Sequence, residues 1–477
     1  MPASSNPRNF QEAGGTAGPE REGVPPQKPV LVAYDRLARS ATYAMTTRRQ
    51  FLGALSLAPS AMAAPPSLRA DAPLNLAELG ATDKSPQALA GDEDFWHQIG
   101  LQFTCDRSMV NLNNGGVSPA PLFVQLAMKK HLDFSNQAPP YHMWRILQPH
   151  KEGVRQRLAH AHGVDPEEIA LTRNASESLM ICQFGMDLKD GDEVLTTNQD
   201  YPRMVNTFKQ RQAREGIRLK QFSVPVPIDE TEKIVDLFEA QIRPGKTKMI
   251  LCSHMINLTG QILPVKEISA LGRKYGIPVI IDGAHSFAHF DFKLADLECD
   301  FFATSLHKWL FAPHGTGLLY MRKERIPEVW PLMAAAEKQK NDIRKFEEIG
   351  THPLANYLAI SEALTFHQGI GGKRKEARLI YLRDYWAKAL LQEDRVRLHT
   401  SLKPGWACGI ANVQIEGLHS GKLASWLWKH YRILVTAIHH DEFQGLRISP
   451  SVYTKLSELD RFIDAVRVAI RSGIEED

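Results

Sequence analysis

The stretch that decides the fold is Pro278-Val279-Ile280-Ile281-Asp282-Gly283-Ala284-His285. Its first four residues form an apolar run that is typical of a strand buried on both faces, and the run ends abruptly in a carboxylate. Immediately upstream, apolar side chains repeat at helical spacing, at Val265, Ile268, Leu271 and Tyr275. A helix followed by a buried strand is the repeating unit of a mainly parallel sheet with helices on both faces.

The same alternation extends over most of the chain. Further strand-like runs are Ile169–Leu171, Glu193–Thr197, Leu219–Val224, Lys248–Ser253, Phe301–Ser305 and Gly317–Met321. We therefore predict an α/β protein with a large three-layer αβα domain over residues 118–370. After Gly371 longer helical patterns alternate with short strand patterns, which predicts a smaller C-terminal α+β domain over residues 371–477.

Composition excludes several classes of function. The chain has 477 residues, and 57 basic against 54 acidic side chains give a net charge of +3. This balance does not favour a nucleic-acid partner. The five cysteines are scattered without metal-ligand spacing, so we expect neither a metal site nor a disulfide scaffold.

The N-terminal part has the features of an export signal. Residues 1–44 are rich in Pro, Gly, Ala, Ser and charge, and we expect them to be disordered. The basic pair Arg48-Arg49 precedes a short apolar run and the small-x-small site Ala61-Met62-Ala63, which predicts a twin-arginine signal peptide over residues 45–64. Met45 is a possible true start, and residues 65–91 are predicted to be a linker.

The export prediction has consequences for location. Twin-arginine export machinery moves folded proteins, so a cofactor would be loaded in the cytoplasm and the mature protein would be periplasmic. The run Phe51–Ala64 is too short to cross a bilayer, so we expect no membrane span in the mature protein. The alternative interpretation of this run is a short buried helix flanked by basic residues.

Asp282 is the first residue with a predicted chemical role. It ends a buried strand, and open α/β sheets bind their ligands at the carboxyl ends of strands. A buried carboxylate there is costly without a cationic partner. A protonated pyridine nitrogen is such a partner, and a protonated ring is the electron sink of pyridoxal-phosphate (PLP) chemistry. The alternative is an Asp that caps the next turn.

Lys308 is the second such residue. It lies in Ser305-Leu306-His307-Lys308-Trp309, just past the next predicted strand and 26 residues after Asp282. A lysine in an apolar setting has a lowered pKa, and its neutral amine can condense with the cofactor aldehyde as a Schiff base. A lysine beside a strand is more often a solvated surface group, but two such residues at corresponding strand ends favour the chemical role.

A third element can bind an anion. Thr172-Arg173-Asn174-Ala175-Ser176-Glu177-Ser178-Leu179 follows a predicted strand and opens a helix with small polar residues. Free backbone N–H groups and the positive end of the helix dipole suit the cofactor phosphate. An ordinary helix cap is the alternative.

Taken together, these motifs resemble the class V aminotransferases, and within them the isopenicillin N epimerase-like branch. The resemblance runs from about Asn111 to the C-terminus. Besides the three stretches above, it rests on motifs in the expected order: Ser253–Pro264, Gly315-Thr316-Gly317, Phe346–Thr351 and Leu446-Arg447-Ile448-Ser449.

The resemblance implies fold type I, the fold of PLP-dependent transferases, and a set of site residues. Lys308 would carry the cofactor, Asp282 would pair with the ring nitrogen, and Asn257 would bond the ring hydroxyl with His285 nearby. The phosphate would be held by Ala175, Ser176, Ser305 and His307. Tyr201 would stack on the ring, and Thr351 would reach the phosphate of a neighbouring subunit, which implies a homodimer. Arg447 would bind the substrate carboxylate, and residues 92–117, with Asn113, would lie at the substrate entrance.

Two positions depart from the wider family. His285 stands where many members have Gln. The stretch Thr436–Gln444 lacks the nucleophilic cysteine of desulfurases, and Cys408 lies in an apolar stretch, so cysteine desulfuration is not expected.

The function predicted from the sequence is PLP chemistry at Cα of a small amino-acid-like substrate, with Lys308 as general base. Transamination and epimerisation are the two reactions that we predict first, and the sequence does not identify the substrate. An epimerase needs an acid on the second face, for which His142 and His439 qualify by residue type alone. The alternatives are a β-elimination lyase and a non-catalytic PLP-fold binding protein. A nucleotide-binding protein is not favoured, because neither glycine-rich phosphate motif is present.

Overall fold

The structure is a computed structural model, and it describes residues 83–474. The predicted disordered extension (1–44), the signal peptide (45–64) and most of the predicted linker (65–91) lie outside the described residues. Within the described part, no helix combines the length and the apolar character that a membrane crossing requires.

A seven-stranded sheet forms the centre of the described chain. Its spatial order is β2-β8-β7-β6-β5-β3-β4, and β8 alone runs against its neighbours. The strands of this sheet are β2 Ile169–Thr172, β3 Glu193–Thr197, β4 Arg218–Phe222, β5 Thr247–Ser253, β6 Val279–Asp282, β7 Phe301–Ser305 and β8 Gly317–Met321. The predicted mainly parallel sheet is confirmed, and its order brings the ends of β5, β6 and β7 side by side.

Helices cover both faces of this sheet, which completes the αβα layers. Strand residues alternate between two apolar cores: Ile281 faces helices α5, α8 and α9, while Ile280 faces α6 and α7. The helices of the described chain are α1 Pro86–Ala90, α2 Glu93–Gly100, α3 Leu122–Gln137, α4 Pro139–Tyr141, α5 Lys151–His162, α6 Ala175–Gly185, α7 Pro202–Glu215, α8 Thr231–Glu239, α9 Val265–Tyr275, α10 Leu294–Leu297, α11 Leu354–Leu358, α12 Ile360–Ile370, α13 Gly372–Leu390, α14 Ser420–Tyr431 and α15 Leu456–Ser472. A π-helical turn spans His142–Leu147.

The smaller domain begins after a break between α12 and α13. Gly371 has a φ of 90° there, a conformation that side-chain-bearing residues rarely adopt. A four-stranded antiparallel sheet in the order β12-β13-β10-β9 packs with α13, α14 and α15 around its own core. Its strands are β9 Val396–Leu398, β10 Ala411–Ile415, β12 Thr436–His439 and β13 Gln444–Ile448.

The segment before the large domain is tied to the small one. Strand β1, Val110–Asn111, pairs in parallel with β11, Ile433–Leu434. Asn114 then donates its backbone N–H to the carbonyl of Ser449, 3.1 Å away. These contacts place the glycines that follow, Gly115 and Gly116, at the edge of the large sheet.

The prediction of a linker up to Gly91 is wrong over its last residues. Pro86–Ala90 is a helix, capped by the Ser85 side chain, and Leu89 and Ala90 are buried. Since Ser85-Pro86 is a typical N-cap and first-turn pair, the signal was present in the sequence.

Candidate active site

A cavity of about 300 Å³ lies at the carboxyl edge of the large sheet. Ten of the twelve predicted site residues line it: Ala175, Ser176, Tyr201, Asn257, Asp282, His285, Ser305, His307, Lys308 and Arg447. The other two, Asn113 and Thr351, are not part of its lining. Four further lining residues had no predicted role: Leu179, Ser253, Met255 and Ala284.

Lys308 reaches the cavity from the turn that follows β7. Its Nζ lies 3.1 Å from Nε2 of His285. Burial lowers the pKa of Lys308 to about 8, and the positive charge of Arg447 acts in the same direction, while Asp282 opposes both. A substantial fraction of the amine is therefore neutral near pH 8, which is the form that attacks an aldehyde or accepts a proton.

Asp282 is the last residue of β6 and is 7% exposed. Oδ1 accepts a hydrogen bond of 2.9 Å from the backbone N–H of Ala284. Burial raises the pKa of Asp282 to about 6, although the Lys308 charge lowers it. A buried carboxylate with so few donors has capacity for a cationic partner in the cavity.

The start of α6 forms a cradle beside these residues. Asn174 caps the helix by accepting from the N–H of Glu177 at 2.9 Å, and Ser305 Oγ accepts from the N–H of Ala175 at 2.9 Å. The cap comes very close to β8: a Cβ on Gly317 would lie 2.6 Å from Cα of Asn174. Glycine is therefore required at 317, and the Ser176 side chain and the helix N-terminus face the cavity.

His307 lies on the other side of this cradle. Its Nδ1 is 3.0 Å from the carbonyl of Thr316, which makes Nδ1 the protonated nitrogen. Burial lowers the pKa of His307 to about 4, and Lys308 contributes to this. The ring is thus neutral, and it can bind an anion only through a hydrogen bond and not through charge.

Arg447 enters from the small domain, in the middle of β13. Its Nη2 donates to Asn113 Oδ1 at 2.9 Å, and its Nη1 donates to the carbonyl of Asn257 at 3.1 Å. Burial lowers the pKa of Arg447 to about 10. The guanidinium stays charged at neutral pH and faces the cavity, and Asn113 orients it from behind.

Tyr201 lines the cavity at the start of α7, next to a buried carboxylate. That neighbour, Asp200, had no predicted role, and it accepts five hydrogen bonds from the ends of β3 and β5. Its acceptor capacity is thus taken up within the protein.

Two histidines singled out by residue type lie elsewhere. His142 bonds the carbonyl of Phe134 at 2.7 Å and stacks on its ring. His439 lies beside His419, with ring centroids 4.9 Å apart. Neither lines the cavity, so neither of these candidates by residue type lies where a second-face acid would act within one chain.

Thr351 belongs to a different cavity of about 450 Å³, which Trp144, Lys151 and Glu347 also line. Glu347 anchors this region through Lys151 at 3.0 Å and Arg155 at 2.6 Å. Thr351 therefore does not reach the Lys308 cavity within one chain.

The residues of the Lys308 cavity fit pyridoxal phosphate. An amine, an under-bonded carboxylate and a helix N-terminus meet in one space. In addition, three buried polar atoms on residues that line the cavity have no hydrogen-bond partner within residues 83–474: Asn257 Oδ1, His285 Nδ1 and Arg447 Nε. Such atoms are costly to bury unless a ligand completes them.

Comparisons with known proteins agree with this chemistry. The family model described as aminotransferase class V matches residues 110–462. The isopenicillin N epimerase of Streptomyces clavuligerus is 27% identical over 78% of this chain and 97% of its own. The hercynylcysteine sulfoxide lyase of Schizosaccharomyces pombe is 26% identical over 78% of this chain and 96% of its own.

A solved structure shares the fold. A lysine-to-alanine mutant of the C-DES protein, with glycine covalently linked to its PLP cofactor, superposes with a TM-score of 0.68 at 24% identity. The match covers 77% of this chain and 98% of that one. The α/β architecture predicted from the sequence is therefore the PLP-enzyme fold type I.

Proposed function

The chain belongs to the aminotransferase class V family, and from that premise we propose that it acts at Cα of an amino acid or an amino-acid-containing secondary metabolite, as an epimerase or aminotransferase. Pyridoxal phosphate is the cofactor. The observation that carries the proposal is the meeting of Lys308, Asp282 and Arg447 around one cavity.

Each of these side chains has a task that its surroundings support. Bound pyridoxal phosphate supplies an electron-accepting ring that stabilises negative charge at Cα. Asp282 would accept a hydrogen bond from the ring nitrogen and keep it protonated. The cradle of Ser176, Ser305 and His307 would hold the phosphate, and Arg447 would bind the substrate carboxylate through its planar fork.

Lys308 would be the general base that removes the Cα proton of the substrate. Its Nζ, held 3.1 Å from His285 Nε2, has the lowered pKa that suits a general base near neutral pH. His285 is itself kept neutral, because burial and the Lys308 charge lower its pKa well below the usual range. It can therefore orient the amine without competing for charge.

The similarity to isopenicillin N epimerase favours epimerisation over transamination as the outcome. The similarity to hercynylcysteine sulfoxide lyase favours a second candidate, β-elimination from a substrate with a sulfur leaving group. Both begin with loss of the same Cα proton, so the residues above serve either reaction.

Desulfuration by a protein thiol is not proposed. None of the described residues that line the cavity is a cysteine. Cys408 is fully buried, and burial raises the pKa of its thiol well above the usual range, so it is not poised as a nucleophile.

The test begins with the purified full chain. We expect a visible absorbance band from the lysine-bound cofactor, which borohydride reduction fixes onto Lys308, as mass mapping of the peptide will show. Incubation with amino acids and small peptides in D2O, followed by NMR, then separates the reactions. Deuterium at Cα with inverted configuration supports an epimerase, keto acid a transaminase, and ammonia with pyruvate a lyase.

A colourless protein that binds no pyridoxal phosphate would contradict the proposal as a whole. A coloured protein that exchanges no Cα proton with any substrate tested would favour the non-catalytic alternative.

We also propose a homodimer in which Thr351 of one chain completes the phosphate site of the other. The support is that Thr351 lines a separate cavity, together with Glu347, outside the Lys308 cavity of the same chain. Sedimentation of the wild-type chain should give a dimer. Mixing Thr351→Ala chains with Lys308→Ala chains should restore one functional site per heterodimer if sites are shared.

Export by the twin-arginine route is proposed from Arg48-Arg49 and the apolar run that follows. A reporter fused after residue 64 should reach the periplasm and should stay in the cytoplasm when both arginines are changed to lysine.

A further inference from the structure

Asp200 is a buried carboxylate for which the proposed chemistry has no role. It is 2% exposed and follows β3, directly before the cavity residue Tyr201. Oδ2 accepts from the hydroxyls of Thr196 and Thr197, at 2.7 and 2.8 Å, and from the N–H of Thr197 at 2.8 Å. Oδ1 accepts from the N–H and the hydroxyl of Ser253, at 2.7 and 2.8 Å.

The donors around position 200 fit a carboxylate and do not fit a neutral amide. Each of the two oxygens receives a backbone N–H, one from Thr197 and one from Ser253. A backbone N–H cannot turn round to become an acceptor, so an amide at 200 would set its NH2 group against a donor. The five donors together match the acceptor capacity of a buried carboxylate.

One strand, β5, separates Asp200 from Asp282, because β3 and β6 both pair with β5. Ser253, which bonds Asp200, is paired in register with Asp282 on the neighbouring strand. Adjacent strands are about 4.8 Å apart. The charge of Asp200 raises the pKa of Asp282, in addition to the larger effect of burial.

We propose that Asp200 is a positioning residue for the cofactor ring, which adds a second negative charge behind Asp282 and so favours the protonated ring nitrogen. The inference rests on the proposed function, since it concerns the same bound cofactor. Asp282 alone would contact the ring, while Asp200 acts through it and through the strand end that carries Tyr201.

Asp200 and Asp282 differ in the number of hydrogen bonds that the protein donates to them, and this difference suits different roles. Asp200 has its acceptor capacity filled by the protein, so its carboxylate is fixed in position. Asp282 receives one donor from the described residues, the N–H of Ala284, and keeps its remaining capacity for the ring. Asp200 therefore supplies a fixed negative charge, while Asp282 is the carboxylate that would bind the ring.

The test compares two probes on cofactor-free full-length protein: pyridoxal phosphate and its analogue in which CH replaces the ring nitrogen. Dissociation constants come from quenching of tryptophan fluorescence. The ratio of the two constants measures the interaction at the ring nitrogen, because every other contact is common to both probes. Wild type should prefer pyridoxal phosphate, and Asp282→Asn should lose that preference.

Asp200→Asn and Asp200→Ser should lower the wild-type preference by roughly three- to tenfold, as expected for loss of one charge near the ring. Thr196→Val is the matched control: it removes one hydroxyl donor, keeps the charge at 200 and should leave the ratio unchanged. Asp200→Ser leaves room for a water molecule that can accept from the two N–H groups. It therefore provides a second neutral variant in case Asp200→Asn does not fold.

A purely structural Asp200 would weaken both probes equally and leave the ratio at its wild-type value, which would overturn the inference. The inability of either neutral variant to fold, checked by circular dichroism, would overturn it as well. If instead neither probe binds wild type, the proposed function itself has failed, and the two failures are thus distinguishable.

Discussion

Buried basic side chains occur in two regions of the described chain, and the regions differ in whether these side chains face the cavity of the candidate site. At the cavity, Lys308 contacts His285, and Arg447 leaves Nε without a partner among residues 83–474. Away from it, Lys375 is fully buried, donates to the carbonyl of Trp309 and lies 3.8 Å from the centroid of the Phe311 ring.

The arginines show the same contrast. Arg383 is 1% exposed, and it donates to Asp384 at 2.6 Å and to the carbonyl of Ala407 at 2.7 Å. Burial of a cation is costly in both regions, but in the interior the protein itself supplies the compensation. At the cavity these groups face a space that a ligand can enter, and this position identifies a functional cation better than a spare donor does, because Arg378 Nε in the interior also has no hydrogen-bond partner among residues 83–474.

The largest expected effect separates the two lysines. Lys308→Ala should abolish the visible cofactor band and lower turnover by on the order of 10³-fold or more, because both the attachment point and the base are lost. Lys375→Met should keep the band, since that amine donates to the carbonyl of Trp309 and does not line the Lys308 cavity. Absorbance spectra and turnover of both variants test this, and a Lys308→Ala protein that retains the lysine-bound band would contradict the assignment.

The arginine pair gives the next largest effect. Arg447→Lys should lower kcat/KM by roughly 10- to 100-fold, mainly through KM, because an ammonium group cannot bind a carboxylate with two parallel hydrogen bonds. Arg383→Lys should instead lower Tm and leave KM unchanged. Equal changes in KM for the two variants would remove the distinction between cavity and interior arginines.

The pH dependence of stability sharpens the comparison further. Burial lowers the pKa of Lys375 well below its ordinary value of 10.5, so below that pH the unfolded chain binds a proton that the folded chain does not. The free energy of unfolding should then fall by about 1.4 kcal/mol per pH unit as the pH drops. Lys308, with a pKa of about 8, should contribute the same slope only down to about pH 8.

Urea unfolding of cofactor-free protein between pH 7 and 10 measures both contributions. The advantage of Lys375→Met over wild type should grow as the pH falls from 10. The corresponding difference for Lys308→Met should level off below about pH 8. Parallel curves for the two variants would show that the lysines do not differ in their surroundings.

Much of the sheet was predictable because its strands are short, apolar and end in polar residues. The bounds of β7 and β8 agree with the predicted runs Phe301–Ser305 and Gly317–Met321. Asp282 and Lys308 were predictable as neighbours because parallel strands place their carboxyl ends at one edge. Strand periodicity alone thus located the centre of the site.

Contacts between distant side chains were not predictable in this way. The bonds from Ser253 to Asp200 join two strand ends, and no local pattern marks the five donors that surround that carboxylate. The bond from Arg447 to Asn113 spans 334 residues and depends on how β1 pairs with β11. Such contacts follow from tertiary packing, and the sequence predicted the residues without their partners.

The smallest expected effect concerns that last contact. Asn113→Ala should raise KM by about 3- to 10-fold with kcat nearly unchanged, because it removes one hydrogen bond that orients Arg447 and leaves the guanidinium charged. Asn136→Ala, which removes an exposed amide bonded to Leu132 on α3, is the control and should leave both constants unchanged. If Asn113→Ala lowered kcat as strongly as KM rises, Asn113 would act at the reacting centre itself, and the division between a binding guanidinium and the group that orients it would have to be abandoned.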